Sequence, residues 1–180
     1  EVEDIVWTES GFHVYSTAGE FQAPVMVNAT GPWIDETNKK YDFPSNFHVR
    51  KVSGIHLIFD GLVVPDLMFM QTSEKRIFFI IPEPENDQTL IGTTERDENG
   101  YIDEIQAGET DIQYLLDQVN AYLKPEFQLR RKDVRDIYIG VRPLVRKKGE
   151  LSDVSRENKL DLHTKGDTKL LHIFGGQLTT

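Results

Sequence analysis

Hydrophobic and polar positions alternate along most of this chain in short runs, and a single long stretch follows the helical period instead. Ile5-Val6-Trp7-Thr8 and Phe12-His13-Val14-Tyr15-Ser16, split by Glu9-Ser10-Gly11, predict a β-hairpin. Gly19 and the run from Val25 to Val27 extend it into a small antiparallel meander. At Asn28-Ala29-Thr30-Gly31-Pro32-Trp33 the pattern changes to small residues and a proline suited to a first helical position. A short helix from Ile34 to Lys39, capped by Thr30 or Gly31, is expected there. Alternation resumes at Val49: Ile55, Leu57 and Phe59 share one face, and Gly54, His56 and Ile58 the other. His56 therefore points away from the most apolar side.

Arg76 to Ile81 and Gln88 to Thr94, joined by Glu83-Pro84-Glu85-Asn86-Asp87, predict a central hairpin of a larger sheet. The long helix is expected from about Thr110 to Leu123. Ile112, Leu115, Leu116, Val119, Tyr122 and Leu123 form its apolar stripe, Thr110 and Gln113 a capping box, and Pro125 its stop. From Asp136 to Arg146, Ile137, Ile139 and Val141 face one way and Tyr138, Gly140 and Arg142 the other. A last hairpin, Leu160 to His163 and Lys169 to Phe174 around Lys165-Gly166-Asp167, ends in Gly175-Gly176. The fold class is α+β, a mostly antiparallel sheet with one long and one short helix.

Composition narrows the partners. The 180 residues suffice for one sizeable core, so one domain or most of one is expected, and 38% hydrophobic with 28% charged residues is ordinary for a globular protein. A formal charge of −10 repels nucleic-acid phosphate, so any anion site must be a local basic cluster. The absence of cysteine removes disulfides, thiolate nucleophiles and Cys-based zinc sites, and suits a reducing compartment, with the cytoplasm as the default. No stretch approaches the roughly 20 apolar residues of a membrane-spanning helix. Both chain ends read as cuts. The motifs G-x-S-x-G, H-E-x-x-H and G-x-x-x-x-G-K-[ST] are missing, and His13, His48, His56, His163 and His172 are scattered singly, so no metal site is expected.

Four segments remain, in order: Asn28-Ala29-Thr30-Gly31-Pro32-Trp33; Ser53-Gly54-Ile55-His56; Gly140-Val141-Arg142-Pro143-Leu144 with Ser155-Arg156; and Phe174-Gly175-Gly176-Gln177-Leu178-Thr179-Thr180. Together with Arg76 to Pro82 and Thr89 to Thr94, they resemble the second half of the FAD-dependent glycerol-3-phosphate dehydrogenases, within the glycine/D-amino-acid oxidase class of flavoenzymes. The resemblance spans nearly the whole chain. It implies that residues 1–33 belong to the FAD-binding domain, 34–145 form the substrate domain, and 146–180 return to the FAD-binding domain. It also implies FAD contacts at Ala29, Thr30, Gly31, Gly175, Gly176, Leu178 and Thr179, and substrate contacts at Arg142, Arg156 and Gln177. His56 and Arg142 are the implied catalytic pair. The implied reaction oxidises sn-glycerol 3-phosphate to dihydroxyacetone phosphate and passes the electrons to quinone, with a peripheral contact of the parent at the inner face of the cell membrane.

The residue types suit these roles. Small residues and glycines let backbone approach a flat cofactor. Planar, permanently charged guanidinium forks suit a phosphomonoester, and an imidazole can take a hydroxyl proton. Each segment also reads as ordinary structure: turns at the glycines, Arg142 paired with a carboxylate such as Asp136, Arg156 a solvated charge, and Tyr138, on the face of Arg142, a packing aromatic and only a weak pocket candidate. Two positions depart from the family pattern: Gln177 stands in place of a lysine, and Ser53 in place of a basic residue. The G-x-G-x-x-G unit that holds the FAD pyrophosphate is not in the chain, so the chain alone is expected to be inactive. Two alternatives stay open: a related flavoenzyme acting on another hydroxy or amino substrate, and a non-catalytic binding module.

Overall fold

The computed structural model describes residues 1–147, 154–155 and 157–176. In chain order the strands are β1 (Val2–Trp7), β2 (Phe12–Ser16), β3 (Gly19–Ala23), β4 (Val25–Asn28), β5 (Phe47–Asp60), β6 (Met68–Gln71), β7 (Ile77–Glu83), β8 (Gln88–Gly92), β9 (Arg96–Glu98), β10 (Val134–Lys147), β11 (Val154–Ser155), β12 (Lys159–Lys165) and β13 (Thr168–Phe174). The helices are α1 (Ile34–Lys40) and α2 (Glu109–Asn120). The α+β class expected from the pattern holds. The expected single core does not, because the chain divides into two compact units, one of residues 1–51 with 142–180 and the other of residues 52–141. The long strands β5 and β10 each run from one unit into the other.

In the first unit, β1, β2 and β3 form an antiparallel meander whose first hairpin is the expected one, but its third strand is Gly19–Ala23 and not the expected Val25 to Val27 run. Its buried side carries Phe12, stacked on Trp7 with ring centroids 5.3 Å apart and set edge-on to Phe43. β4 leaves the meander. It pairs in parallel with β13, which is also the antiparallel partner of β12. Alternation along β13 explains the packing: Thr168, Leu170, His172 and Phe174 are buried. The opposite face of this sheet leaves Val25, Val27, Leu160 and Leu162 about half exposed.

In the second unit the strand order is β10-β5-β8-β7-β6, with β9 paired to β5. Ile55, Leu57 and Phe59 point as the alternation requires, into a core shared with Phe78, Ile80, Ile91 and the α2 residues Ile112, Leu115, Leu116 and Val119. Burying each such side chain contributes about 1.5–3 kcal/mol. The hairpin turn between β7 and β8 closes through Asp87 at φ 47°, a left-handed conformation that aspartate tolerates better than most side chains.

α2 starts and stops differently from the sequence expectation. Its N-cap is Gly108, and the carboxylate that accepts the Gly108 N–H belongs to Asp111, so Thr110 and Gln113 do not form the box. Asp111 is held there by Arg96, whose Nη1 donates to it at 2.5 Å. The helix also ends before Tyr122, which is exposed rather than part of the core stripe. The expected side-chain cap of the short helix is absent too: Thr30 makes no capping bond, and a 3₁₀ turn of Gly31–Trp33 leads into α1.

Candidate functional site

Parallel pairing brings two of the singled-out segments to one edge. Register places Asn28 beside His172, so the chain leaves β4 through Ala29, Thr30 and Gly31 next to where it leaves β13 through Gly175 and Gly176. Both exits need glycine. Gly31 turns at φ +58° with open space where a Cβ would sit, and Gly175 turns at φ +65° with the Val145 side chain only 2.4 Å from that position. The carboxyl ends of parallel strands are where open α/β sheets bind ligands.

The turn after β4 is held from beneath. Asn28, 4% exposed, donates through Nδ2 to Asn38 Oδ1 on α1 at 2.9 Å. Its own Oδ1 accepts the Thr30 hydroxyl at 2.8 Å and the Thr30 N–H at 3.3 Å. Ala29 and Thr30 are left exposed on top of this network. Sequence reading singled out the segment but missed the anchoring role of Asn28. Its signal was available as a polar residue at the end of an apolar run, where a buried amide must find partners.

Arg142 lies on β10 in the first unit, half-buried, one residue before Pro143. A Cβ on Gly175 would stand 3.5 Å from the Pro143 carbonyl oxygen, so the strand segment that carries Arg142 runs against the glycine exit. Arg156, Gln177, Leu178 and Thr179 lie outside the described residues. A groove of the same unit, lined among others by Asp35, Asp42 and His48, contains none of the expected site residues.

His56 belongs to the second unit, on β5, facing away from the core as the alternation predicted. Register sets it opposite Gly92 of β8, Gly92 opposite Phe79 of β7, and Phe79 opposite Phe69 of β6. Tyr138 of neighbouring β10 brings its ring to 6.2 Å from the imidazole. One face of this sheet therefore carries a row of rings broken only at Gly92. Sequence reading kept Tyr138 as a weak pocket candidate and missed Gly92, because cross-strand register was not legible.

A second polar group sits under β12 and β13. Asp161, buried, accepts the Asn46 N–H at 2.7 Å and Asn46 Nδ2 at 2.8 Å, with His163 Nε2 3.0 Å from it. Burial pushes the carboxyl up, but these donors outweigh it and hold its pKa below the usual range. His172, fully buried, contacts the Pro44 carbonyl oxygen at 2.9 Å through Nε2. Burial lowers its pKa against that contact, which favours the neutral imidazole. Among the described residues no cluster of His, Cys, Asp and Glu could hold a metal ion.

Comparison with known proteins decides the family. The FAD dependent oxidoreductase family matches residues 1–176. The chain belongs to this family. It is 39% identical over 168 residues to a D-erythritol 1-phosphate dehydrogenase of Brucella abortus, covering 89% of this chain and 32% of that protein. It is 30% identical over 181 residues to an aerobic glycerol-3-phosphate dehydrogenase of Bacillus subtilis, covering 99% of this chain and 30% of that protein. Among solved structures, the glycerol-3-phosphate dehydrogenase from Bacillus halodurans complexed with FAD superposes with a TM-score of 0.78 at 25% identity, over 99% of this chain and 35% of that one. The chain thus spans about a third of the length of the curated relatives it matches.

The cofactor of the family is FAD, and the edge formed by β4 and β13 suits it. Two glycine turns expose backbone side by side at the ends of parallel strands, and the space beside Gly31 is open. No described helix is long and apolar enough to cross a membrane.

Proposed function

We propose that the whole protein is an FAD-dependent dehydrogenase of a small phosphorylated polyol, with sn-glycerol 3-phosphate as substrate and dihydroxyacetone phosphate as product. The observation that supports this most is the meeting, at one edge, of the glycine exits of β4 and β13 with the strand segment that carries Arg142. In this reading Ala29, Thr30, Gly31, Gly175, Gly176, Leu178 and Thr179 contact FAD. Arg142 and Arg156 hold the phosphate, each charge-assisted contact being worth about 1.5–3 kcal/mol, and Gln177 adds a neutral amide donor. His56 takes the proton of the C2 hydroxyl as its carbon gives up hydride. FAD, when bound, supplies the hydride acceptor and passes the electrons to quinone.

The division expected from sequence belongs to the same proposal: 34–145 as the substrate domain, with 1–33 and 146–180 as parts of a larger FAD-binding domain. A sheet normally buries its apolar face against another layer, and the face bearing Val25, Val27, Leu160 and Leu162 stays about half exposed among the described residues. The 180 residues alone are expected to turn over no substrate, because the G-x-G-x-x-G contacts are not among them. We place the whole protein in the cytoplasm, at the inner face of the cell membrane. A second reading, oxidation of D-erythritol 1-phosphate, is favoured by the higher identity to the Brucella relative and by Gln177 in place of a lysine. The test is anaerobic addition of each phosphate to the purified full-length flavoprotein. Bleaching of the flavin band by one of them assigns the substrate, and an oxidised flavin with both rejects the proposal.

A further inference from the structure

We propose that Gly92 is a positioning residue for His56, keeping open the space in which the imidazole lies. The inference rests on the reading of His56 as the proton acceptor and names what holds it in place. A Cβ built on Gly92 would stand 2.5 Å from Cδ2 and 2.7 Å from Cγ of His56, and 2.7 Å from the Ile55 carbonyl oxygen. Real Cβ atoms essentially never come that close. The ring of His56 thus occupies the volume that any other side chain at position 92 would claim.

A left-handed turn does not explain the glycine, since Gly92 is not among the glycines at positive φ, unlike Gly31 or Gly175. Its flexibility and missing side chain weaken a strand, and a glycine kept in one marks close approach by another group. Here that group is identified by register: His56 on one side and Phe79 on the other. With Tyr138 on its far side, the imidazole is bracketed, an aromatic ring 6.2 Å from one side and a glycine floor on the other. Bracketing of this kind removes rotamer freedom from a group that must meet a hydroxyl within a narrow angle.

The experiment uses the full-length protein loaded with FAD and the substrate that bleaches it. Gly92→Ala is expected to lower kcat about 10–100-fold with little change in KM, since a misplacement of ~1 Å can cost ~100-fold. It should also flatten the pH profile of kcat as His56→Asn is expected to, while flavin content stays at the wild-type level. In the His56→Asn background the same alanine should change kcat less than about twofold, because residues acting through one group are not additive. An equal loss in both backgrounds overturns the positioning role and leaves the proposed function standing. Full turnover by His56→Asn removes the role assigned to His56, and this inference with it. A readout independent of turnover is the melting temperature: His56→Ala should restore part of what Gly92→Ala takes away, and no restoration would overturn the steric basis.

Discussion

The two units solve the same problem, burying enough surface to fold, with different materials. The second unit gathers ten buried apolar residues into one cluster between sheet and helix, and its buried polar side chains, Ser53, Thr72, Thr89 and Thr94, carry only hydroxyls. Among its described residues the first unit has two clusters of three buried residues each, centred on Phe12 and on Ile34. It also buries two amides, a carboxylate and an imidazole: Asn28, Asn38, Asp161 and His172. An apolar core is insensitive to pH and tolerant of small shifts. A polar interior is costly unless every group is paired, but paired groups fix backbone at defined places. The contrast suggests that the second unit is built for stability and the first for shaping the strand exits beside β4 and β13.

The contrast is broken most severely by opening the apolar core. Phe78, fully buried on β7, is surrounded by that cluster. Phe78→Ala is expected to cost about 3–5 kcal/mol, the usual loss for a large ring that leaves a cavity. Hydrogen exchange should show protection lost at the amides of β7, β8 and α2. A change under about 1 kcal/mol would mean that the cluster can collapse around the gap, and that the second unit is less tightly packed than its burial indicates.

A sharper and smaller effect is expected at Asn28. Asn28→Ala removes the Asn28 oxygen that accepts the Thr30 hydroxyl and N–H and leaves the Asn38 side-chain oxygen without its donor. Unpaired buried groups cost about 1–3 kcal/mol. Because those bonds shape the turn through Ala29 to Gly31, the full-length protein should also hold FAD about tenfold less tightly, read by flavin fluorescence during dialysis. Asn28→Asp keeps the acceptor for Thr30 and loses the donor to Asn38, so it should fall between. Loss of stability without loss of flavin would make Asn28 a packing residue only.

Much of this was legible along the chain, for reasons that also explain the gaps. Period-two alternation announced β5, with Ile55, Leu57 and Phe59 inward and His56 outward, because side-chain direction in a strand is a local property. Local signals also placed the hairpins and the existence of α2. What failed depended on partners distant in sequence. The Thr110 box gave way to Gly108 because Arg96, outside the helix, holds Asp111 in place. The parallel pairing of β4 with β13 joins Val25 to Lys169, and no turn between them encodes it. Ala29 to Gly31 and Gly175 were recognisable as glycine-bearing turns, whereas their shared edge, and the close approach of His56 to Gly92, exist only once register is set.

The mildest test sets the polar interior against the apolar one by acidification. His172 has its pKa lowered in the fold from the ordinary 6.5, so the unfolded chain takes up its proton at higher pH than the native one does. Stability is then lost as pH falls below about 6.5, where the unfolded state binds more protons. Asp161 is also lowered, from 3.8, and its contribution is complete above that value and lost as pH falls through the folded pKa. Both groups lie in the first unit, and both act in the same direction. From pH 7 to pH 4, hydrogen-exchange protection, taken relative to the intrinsic rate at each pH, should therefore fall at β12 and β13 before it changes at β7 and α2, with the imidazole dominating the upper part of that range. His172→Phe, which keeps the ring volume and removes the proton site, should flatten the dependence above pH 5. Equal loss of protection in both units would show that neither group sets the acid response, and that the polar and apolar interiors differ in composition but not in behaviour.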